Sequence, residues 1–145
     1  MQISIKSRYG LRAMVYLTKT KKVCSAKEIS QKEKIPFDFL EKIFSKLQQK
    51  KLVKSQKGPA GGYYLAKPPQ KINIKAIIKA LEENKEIFPI FCKKKHCPSK
   101  KKCPIKNVWK KIKKDLDSTL EKTTLIDLCQ QPKTKLQKKR HCLKF

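Results

Sequence analysis

Acidic side chains are scarce: 11 Asp and Glu stand against 38 Lys and Arg in 145 residues, a formal net charge of +27. Such a surface repels itself unless a polyanion neutralises it, which puts nucleic acid first among partners. Arginine is scarce as well; apart from Arg8, Arg12 and Arg140, every basic residue is Lys. An A/T-rich genome produces the same skew, so where the charges lie says more than how many there are. No apolar run approaches the ~18–20 residues of a membrane span, which excludes a membrane partner. Met1 to Arg8 leads straight into amphipathic sequence without an apolar signal core, so a cytoplasmic location with reduced thiols is expected. No period recurs, which rules out collagen, coiled-coil and repeat architectures. There is no Cys-x2-Cys, no Cys–His pair in a plausible cleft and no phosphate loop, so a thiol enzyme finds no support and a non-enzyme is expected. The length suits one domain plus an extra element, with core enough to need no disulfides.

What is present reads as a series of short helices. Leu11, Met14, Val15 and Tyr16/Leu17 mark a stripe on a helix from about Ser7 to Thr18. Ser25 and Glu28 form the S-x-x-E pattern of a capping box, opening a second helix at Ala26 that ends near Lys34, before Ile35-Pro36. Pro36 suits the first turn of a third helix, on which Phe37, Leu40, Ile43, Phe44 and Leu47 form an apolar stripe. Its other face carries Asp38, Glu41, Lys42, Ser45, Lys46 and Gln49. Two helices joined by a tight turn, the second with a hydrogen-bonding face, are the parts of a helix-turn-helix. Three of the four glycines fall between Gly58 and Gly62, flanked by two short strands in Leu52–Lys57 and Tyr63–Ala66. They mark a turn needing positive φ in a basic β-hairpin, a wing. Asn73 caps a fourth helix carrying Ile74, Ile77, Ile78 and Leu81, which Glu82, Glu83 and Asn84 close. Later, Ile105, Val108, Trp109, Ile112, Leu116 and Leu120 make a long apolar stripe with nothing left in one small domain to cover it. Thr124 and Asp127 cap a last short helix ending before Pro132.

Between Lys93 and Lys114 lie eleven Lys and no acid, with Cys92, Cys97 and Cys103 in or beside that stretch. The spacing Cys92-x4-Cys97-x5-Cys103 is not that of a zinc knuckle. Three soft thiolates in one loop suit an iron–sulphur cluster completed by a fourth, non-Cys ligand. Cys97-Pro98 and Cys103-Pro104 fix the chain direction after a ligand. The lysines lower thiolate pKa and offset cluster charge. Zinc is the second choice and a bare redox-sensing thiol the third. Cys24, Cys129 and Cys142 are read as structural or unpaired.

These segments resemble the winged-helix regulators of the IscR/NsrR/CymR type over roughly residues 1–130. The resemblance is carried by Ser7-Arg-Tyr-Gly10, Ala13-Met14, Ile29-Ser30, Phe39-Leu-Glu-Lys-Ile-Phe44, Leu47, Leu52-Val53, Lys57-Gly-Pro-Ala-Gly-Gly-Tyr63, the three cysteines and Trp109. It implies a homodimer on palindromic, double-stranded promoter DNA, with an iron–sulphur cluster in the cysteine loop of many members. The fold class expected is mainly α with a small β-wing: a winged helix-turn-helix domain plus a long C-terminal dimerisation helix. The division expected is a DNA-binding domain at 1–82, a cluster-binding loop at 83–104, a dimerisation and final helix at 105–131, and a basic, disordered tail at 132–145. Iron–sulphur assembly proteins are a further expected partner.

For DNA the reader is the third helix, since a major groove accepts one helix. Glu41 is placed to accept from a cytosine N4 amine, a role relatives suggest, although Asp38 and Glu41 also simply favour the helix dipole. Phe39 stands either near DNA or in the core. Lys42 and Lys46 suit phosphates, and Lys27 and Ser45 complete the helix-turn-helix set. At the wing, Lys57 is placed to enter a narrow minor groove, with Gly58 and Gly61 allowing close backbone approach. Relatives carry Arg there; Lys, more strongly hydrated, discriminates less. The fourth cluster ligand departs from the family, because Lys106 and Arg8 stand where others place a ligand. His96 is the candidate, and 2Fe–2S is placed ahead of 4Fe–4S. The alternatives kept open are a cluster-free regulator of the same family and a basic RNA- or ribosome-associated protein with structural zinc.

Overall fold

Ser4 opens the chain's first helix, its hydroxyl accepting from the Ser7 amide at 3.1 Å, so α1 runs Ile5–Thr20 rather than from Ser7. This computed structural model describes residues 3–82 and 103–130. The Ser25 hydroxyl accepts from the Glu28 amide at 3.1 Å and starts α2, Ala26–Glu33. The expected return limb of that capping box is absent. The Glu28 carboxylate turns instead to the Tyr16 hydroxyl at 3.0 Å and the Lys22 ammonium at 3.7 Å, tying α2 to α1. Lys34 ends α2 in the left-handed region, φ 52°, and the Ile35 amide reaches back to the Ser30 carbonyl at 3.0 Å. This closure satisfies carbonyls the helix end would strand. Pro36 then occupies the N-cap position, just outside α3, Phe37–Gln49.

Leu40, Ile43, Phe44 and Leu47 are fully buried along α3, as their spacing predicts. Phe37, expected on the same stripe, is 43% exposed, because the first residue of α3 projects beyond the edge of the core. α3 leads into β1, Val53–Gln56, which pairs antiparallel with β2, Gly62–Leu65, in the register Val53↔Leu65 to Gln56↔Gly62. A 3-10 turn at Pro69–Lys71 precedes α4, Ile74–Leu81, whose N-cap Asn73 accepts from the Ala76 amide at 2.8 Å. α5, Lys106–Lys122, and α6, Leu125–Gln130, complete the described chain. This is a mainly helical winged-helix architecture with one two-stranded hairpin.

The core lies where α1 packs against α3, α4 and α6. Met14, Phe44, Ile77, Ile78, Leu81 and Leu125 are among its fully enclosed side chains. Gly10 makes the α1–α4 approach possible, since a Cβ there would collide with the Leu81 side chain. Next to that contact the Glu82 carboxylate accepts from the Ser4 amide at 3.1 Å and from the Ser4 and Ser7 hydroxyls at 2.5 and 2.6 Å. An anion is thereby set at the positive end of α1. α5 is held to the body at its C-terminal end: the Ile74 amide donates to the Thr123 carbonyl and the Leu125 amide to the Ile72 carbonyl, at 2.9 and 3.0 Å. Lys75 adds ion pairs to Glu121 at 2.6 Å and Asp117 at 3.6 Å. These partners, Glu121 first, hold the Lys75 ammonium above its ordinary pKa. Among the described residues no helix is long and apolar enough to cross a membrane.

Candidate nucleic-acid interface and cysteine segment

The turn after α2 and the buried row on α3 leave Asp38, Glu41, Lys42 and Ser45 exposed on the opposite side of α3, with Lys46 half-buried at its margin. Phe39 is half-buried with its ring edge-on to Tyr9 at 5.8 Å, so it belongs to the α1–α3 packing. Lys27 is exposed on α2. Burial first, and then the neighbouring Lys6 ammonium, push the Lys46 pKa down. The two cations therefore share one small region from α1 and α3. Forty positions separate Lys6 from Lys46, and no local pattern in the sequence announces the pair.

The hairpin is fixed to α3 by two contacts. The Phe44 and Tyr63 rings stack at 4.2 Å with planes 8° apart, and the Gln48 amide donates to the Ser55 hydroxyl at 3.1 Å. Burial, aided by the Glu41 charge, raises the Tyr63 hydroxyl pKa, which keeps it neutral beside α3. On its outer side β2 is stitched to the α1–α2 connection: Cys24 and Tyr63 exchange both backbone hydrogen bonds, at 3.0 and 2.8 Å. Gly62 is required there, because an added Cβ would strike the Cys24 carbonyl. Lys57 is exposed at the hairpin tip next to Gly58, whose φ of 109° is the positive angle expected of that turn. Gly61 sits half-buried under the tip, where a Cβ would lie 2.5 Å from the Gln56 carbonyl oxygen. The exposed α3 face and the wing are thus parts of one stiff unit, and nothing local foretells the Phe44–Tyr63 and Gln48–Ser55 contacts.

Of the cysteine set, Cys103 is described; Cys92, His96 and Cys97 lie outside the described residues. Among the described residues no three metal-ligating side chains converge. Cys103 is a half-buried free thiol two residues before the Ile105 N-cap of α5, and its carbonyl accepts from the Lys106 amide at 3.2 Å. The first turn of α5 has no acid and no side-chain cap. A sulphur anion at this end meets a positive helix terminus in a lysine-rich segment, so Cys103 fits the chemistry of a thiolate ligand. Cys24 is fully buried with its sulphur 3.3 Å from the Thr20 hydroxyl, a structural position as expected. Cys129 is half-buried on α6, and Cys142 lies outside the described residues.

Along α5 the apolar stripe faces outward: Ile105 and Val108 are each 55% exposed, Trp109 40% and Ile112 43%. Leu116 and Leu120, nearer the anchored end, are half-buried.

Residues 3–131 match the Rrf2 family, described as iron-dependent transcriptional regulators. The chain is 31% identical over 131 residues to the transcriptional regulator IscR of Yersinia pseudotuberculosis, covering 88% of this chain and 79% of that one. Among solved structures it is similar to CymR, the global cysteine regulator of B. subtilis, at 34% identity and TM-score 0.75, covering 89% and 96% of the two chains. It is also similar to IscR of T. potens, at 31% identity and TM-score 0.69, covering 88% and 85%. Fold, family match and relatives agree: this chain belongs to the Rrf2 family and is a transcriptional regulator of the Rrf2/IscR type.

Proposed function

We propose that this protein is a homodimeric, cytoplasmic, non-enzymatic regulator that reads palindromic promoter DNA and adjusts its grip through an iron–sulphur cluster on Cys92, Cys97 and Cys103. The observation that carries the reading is the joining of the polar α3 face to the wing by the Phe44–Tyr63 stack and the Gln48–Ser55 hydrogen bond. In this reading residues 1–82 form the reading unit, 83–104 the cluster segment and 105–131 the dimerisation element. Glu41 lies in the major groove, Lys27, Lys42, Ser45 and Lys46 hold phosphates, and Lys57 approaches the minor groove over Gly58 and Gly61. The outward row on α5 packs on its two-fold mate, and that pairing sets the reading helices about 34 Å apart.

An iron–sulphur cluster, when bound, supplies a centre that responds to iron supply, oxidants and nitric oxide. His96 is the residue offered as its fourth ligand, with 2Fe–2S as the type. The chain's own part is to present Cys103 just before the N-terminal end of α5, whose first turn carries no acidic residue to repel a thiolate ligand. Iron–sulphur assembly proteins are the partners such a centre needs.

The test is anaerobic purification with visible spectra and iron, sulphide and zinc analysis, paired with binding to specific and random duplexes at several salt concentrations. Both duplexes should show a steep salt slope. A regulator also requires a specific-to-random ratio of about a thousandfold or more. Cys97→Ala should remove the colour and change promoter affinity; unchanged colour and affinity overturn the ligand assignment. A colourless protein with one tightly held zinc per chain overturns the cluster.

A further inference from the structure

A cleft of about 440 Å³ opens between the C-terminal end of α1, strand β2, the 3-10 turn and α6, away from the α3 face. That volume is in the range of small-ligand sites. Leu17, Val23, Leu65 and Ile126 contribute apolar walls, Tyr64 and Gln70 polar ones, and among the described residues no acidic side chain lines it. The Thr18 hydroxyl inside is already committed to the Met14 carbonyl at 2.8 Å. Lys21 and Lys22, both exposed, also line the cleft. Lys22 pairs with Glu28 at 3.7 Å, whereas Lys21 is exposed and has no ion pair among the described residues.

The lining is mostly apolar, with Tyr64 and Gln70 as the polar side chains besides Thr18 and the lysines. It suits an apolar ligand with one polar end better than a sugar or a nucleotide, and a lining without acid among the described residues does not suit a metal cation. An exposed ammonium with no ion pair among the described residues, beside an apolar lining, suits an apolar chain ending in a carboxylate. We propose that this cleft binds a free medium-chain carboxylate, its chain between Leu17, Val23, Leu65 and Ile126 and its carboxylate on Lys21. The walls belong to the wing strand and to α6, so an occupant touches both the hairpin of the proposed reading unit and the helix that follows the proposed dimerisation helix. The proposal stands whether or not a cluster is bound.

The full chain, labelled with 15N, is titrated with hexanoate, octanoate, decanoate and octanol. Saturable shifts at the Val23, Leu65 and Ile126 amides are expected, with affinity rising about fourfold per added methylene. Octanol should bind more weakly than octanoate. Lys21→Gln should cost octanoate up to about fivefold and leave octanol unchanged, as an exposed charge pair implies. Val23→Phe should fill the cleft and abolish binding, with the melting curve as the check on folding; Lys21→Gln decides the matter if that variant does not fold. Shifts spread over the lysine surface with no chain-length dependence mean bulk anion adsorption and overturn the proposal. No saturable binding at millimolar ligand overturns it too, as does binding that emerges only after residues 131–145 are deleted, which assigns the cleft to the chain's own tail.

Discussion

Replacing Trp109 by Ala tests the outward row of α5 where it is widest. Trp109 is 40% exposed in the single chain. With a full indole side chain near 250 Å², that leaves about 100 Å² to be covered by a partner. At about 25 cal/mol per Å² the loss is roughly 2.5 kcal/mol per protomer. Two-fold symmetry counts it twice, so the dimer weakens by about 5 kcal/mol, a rise of three to four powers of ten in Kd. Alanine is a better helix former than tryptophan, so α5 itself should persist. Sedimentation velocity over a nanomolar to high-micromolar series reads the shift, with circular dichroism confirming helix content and Lys110→Ala as an exposed control on the same helix. An unchanged Kd for Trp109→Ala, or a parent chain monomeric throughout the series, refutes the argument.

Three further outcomes are expected. Lys57→Ala should weaken specific DNA binding more than Lys138→Ala; equal losses in a gel-shift or anisotropy titration would remove the wing from the interface. Gly62→Ala forces a Cβ onto the backbone carbonyl of Cys24, which cannot swing aside as a side chain would. An overpacking cost of about 1–3 kcal/mol should lower Tm by about 3–10 °C, and a Tm within a degree of the parent's would show that β2 is not pinned there. The Thr124 hydroxyl, followed by the Thr124 amide, holds the Asp127 carboxyl below its ordinary value. A depressed folded pKa stabilises above the unfolded value near 4 and loses that contribution as pH falls through the folded one. Protection factors of the Leu125–Gln130 amides, corrected for the intrinsic exchange rate at each pH, should therefore fall in acid, and Asp127→Asn should flatten the dependence; identical profiles would dismiss the cap.

Local chemistry was legible in the sequence. Ser25, Asn73 and the Thr124–Asp127 pair cap the helices their spacing announced, because a cap involves residues only three apart. The glycine turn and the α3 stripe from Leu40 to Leu47 read correctly for the same reason, whereas Phe37 at the helix start did not. Contacts between distant positions were not legible. Ser4, Ser7 and Glu82 meet across the width of the domain, and Glu28 leaves its capping role because Tyr16 and Lys22 come within reach only after α1 and α2 pack. Phe39 was open between DNA and core; its edge-on contact with Tyr9 places it in packing. The candidate interface followed the same rule. The polar α3 face came from periodicity, whereas Lys6 beside Lys46 and the Gln48–Ser55 link needed the fold.

Among the described residues, α5 is tied to the body by backbone hydrogen bonds at its C-terminal end, and this has a mechanical consequence. Its seventeen residues extend about 25 Å from the backbone hydrogen bonds at Ile72 and Ile74. A rod hinged at one end is a lever: a tilt of about 10° at the pivot sweeps the far end, where Cys103 sits, through roughly 4 Å. Chemistry acting on sulphur at the tip therefore works at the greatest possible radius from the fulcrum, where a weak pull exerts its largest torque on the helix.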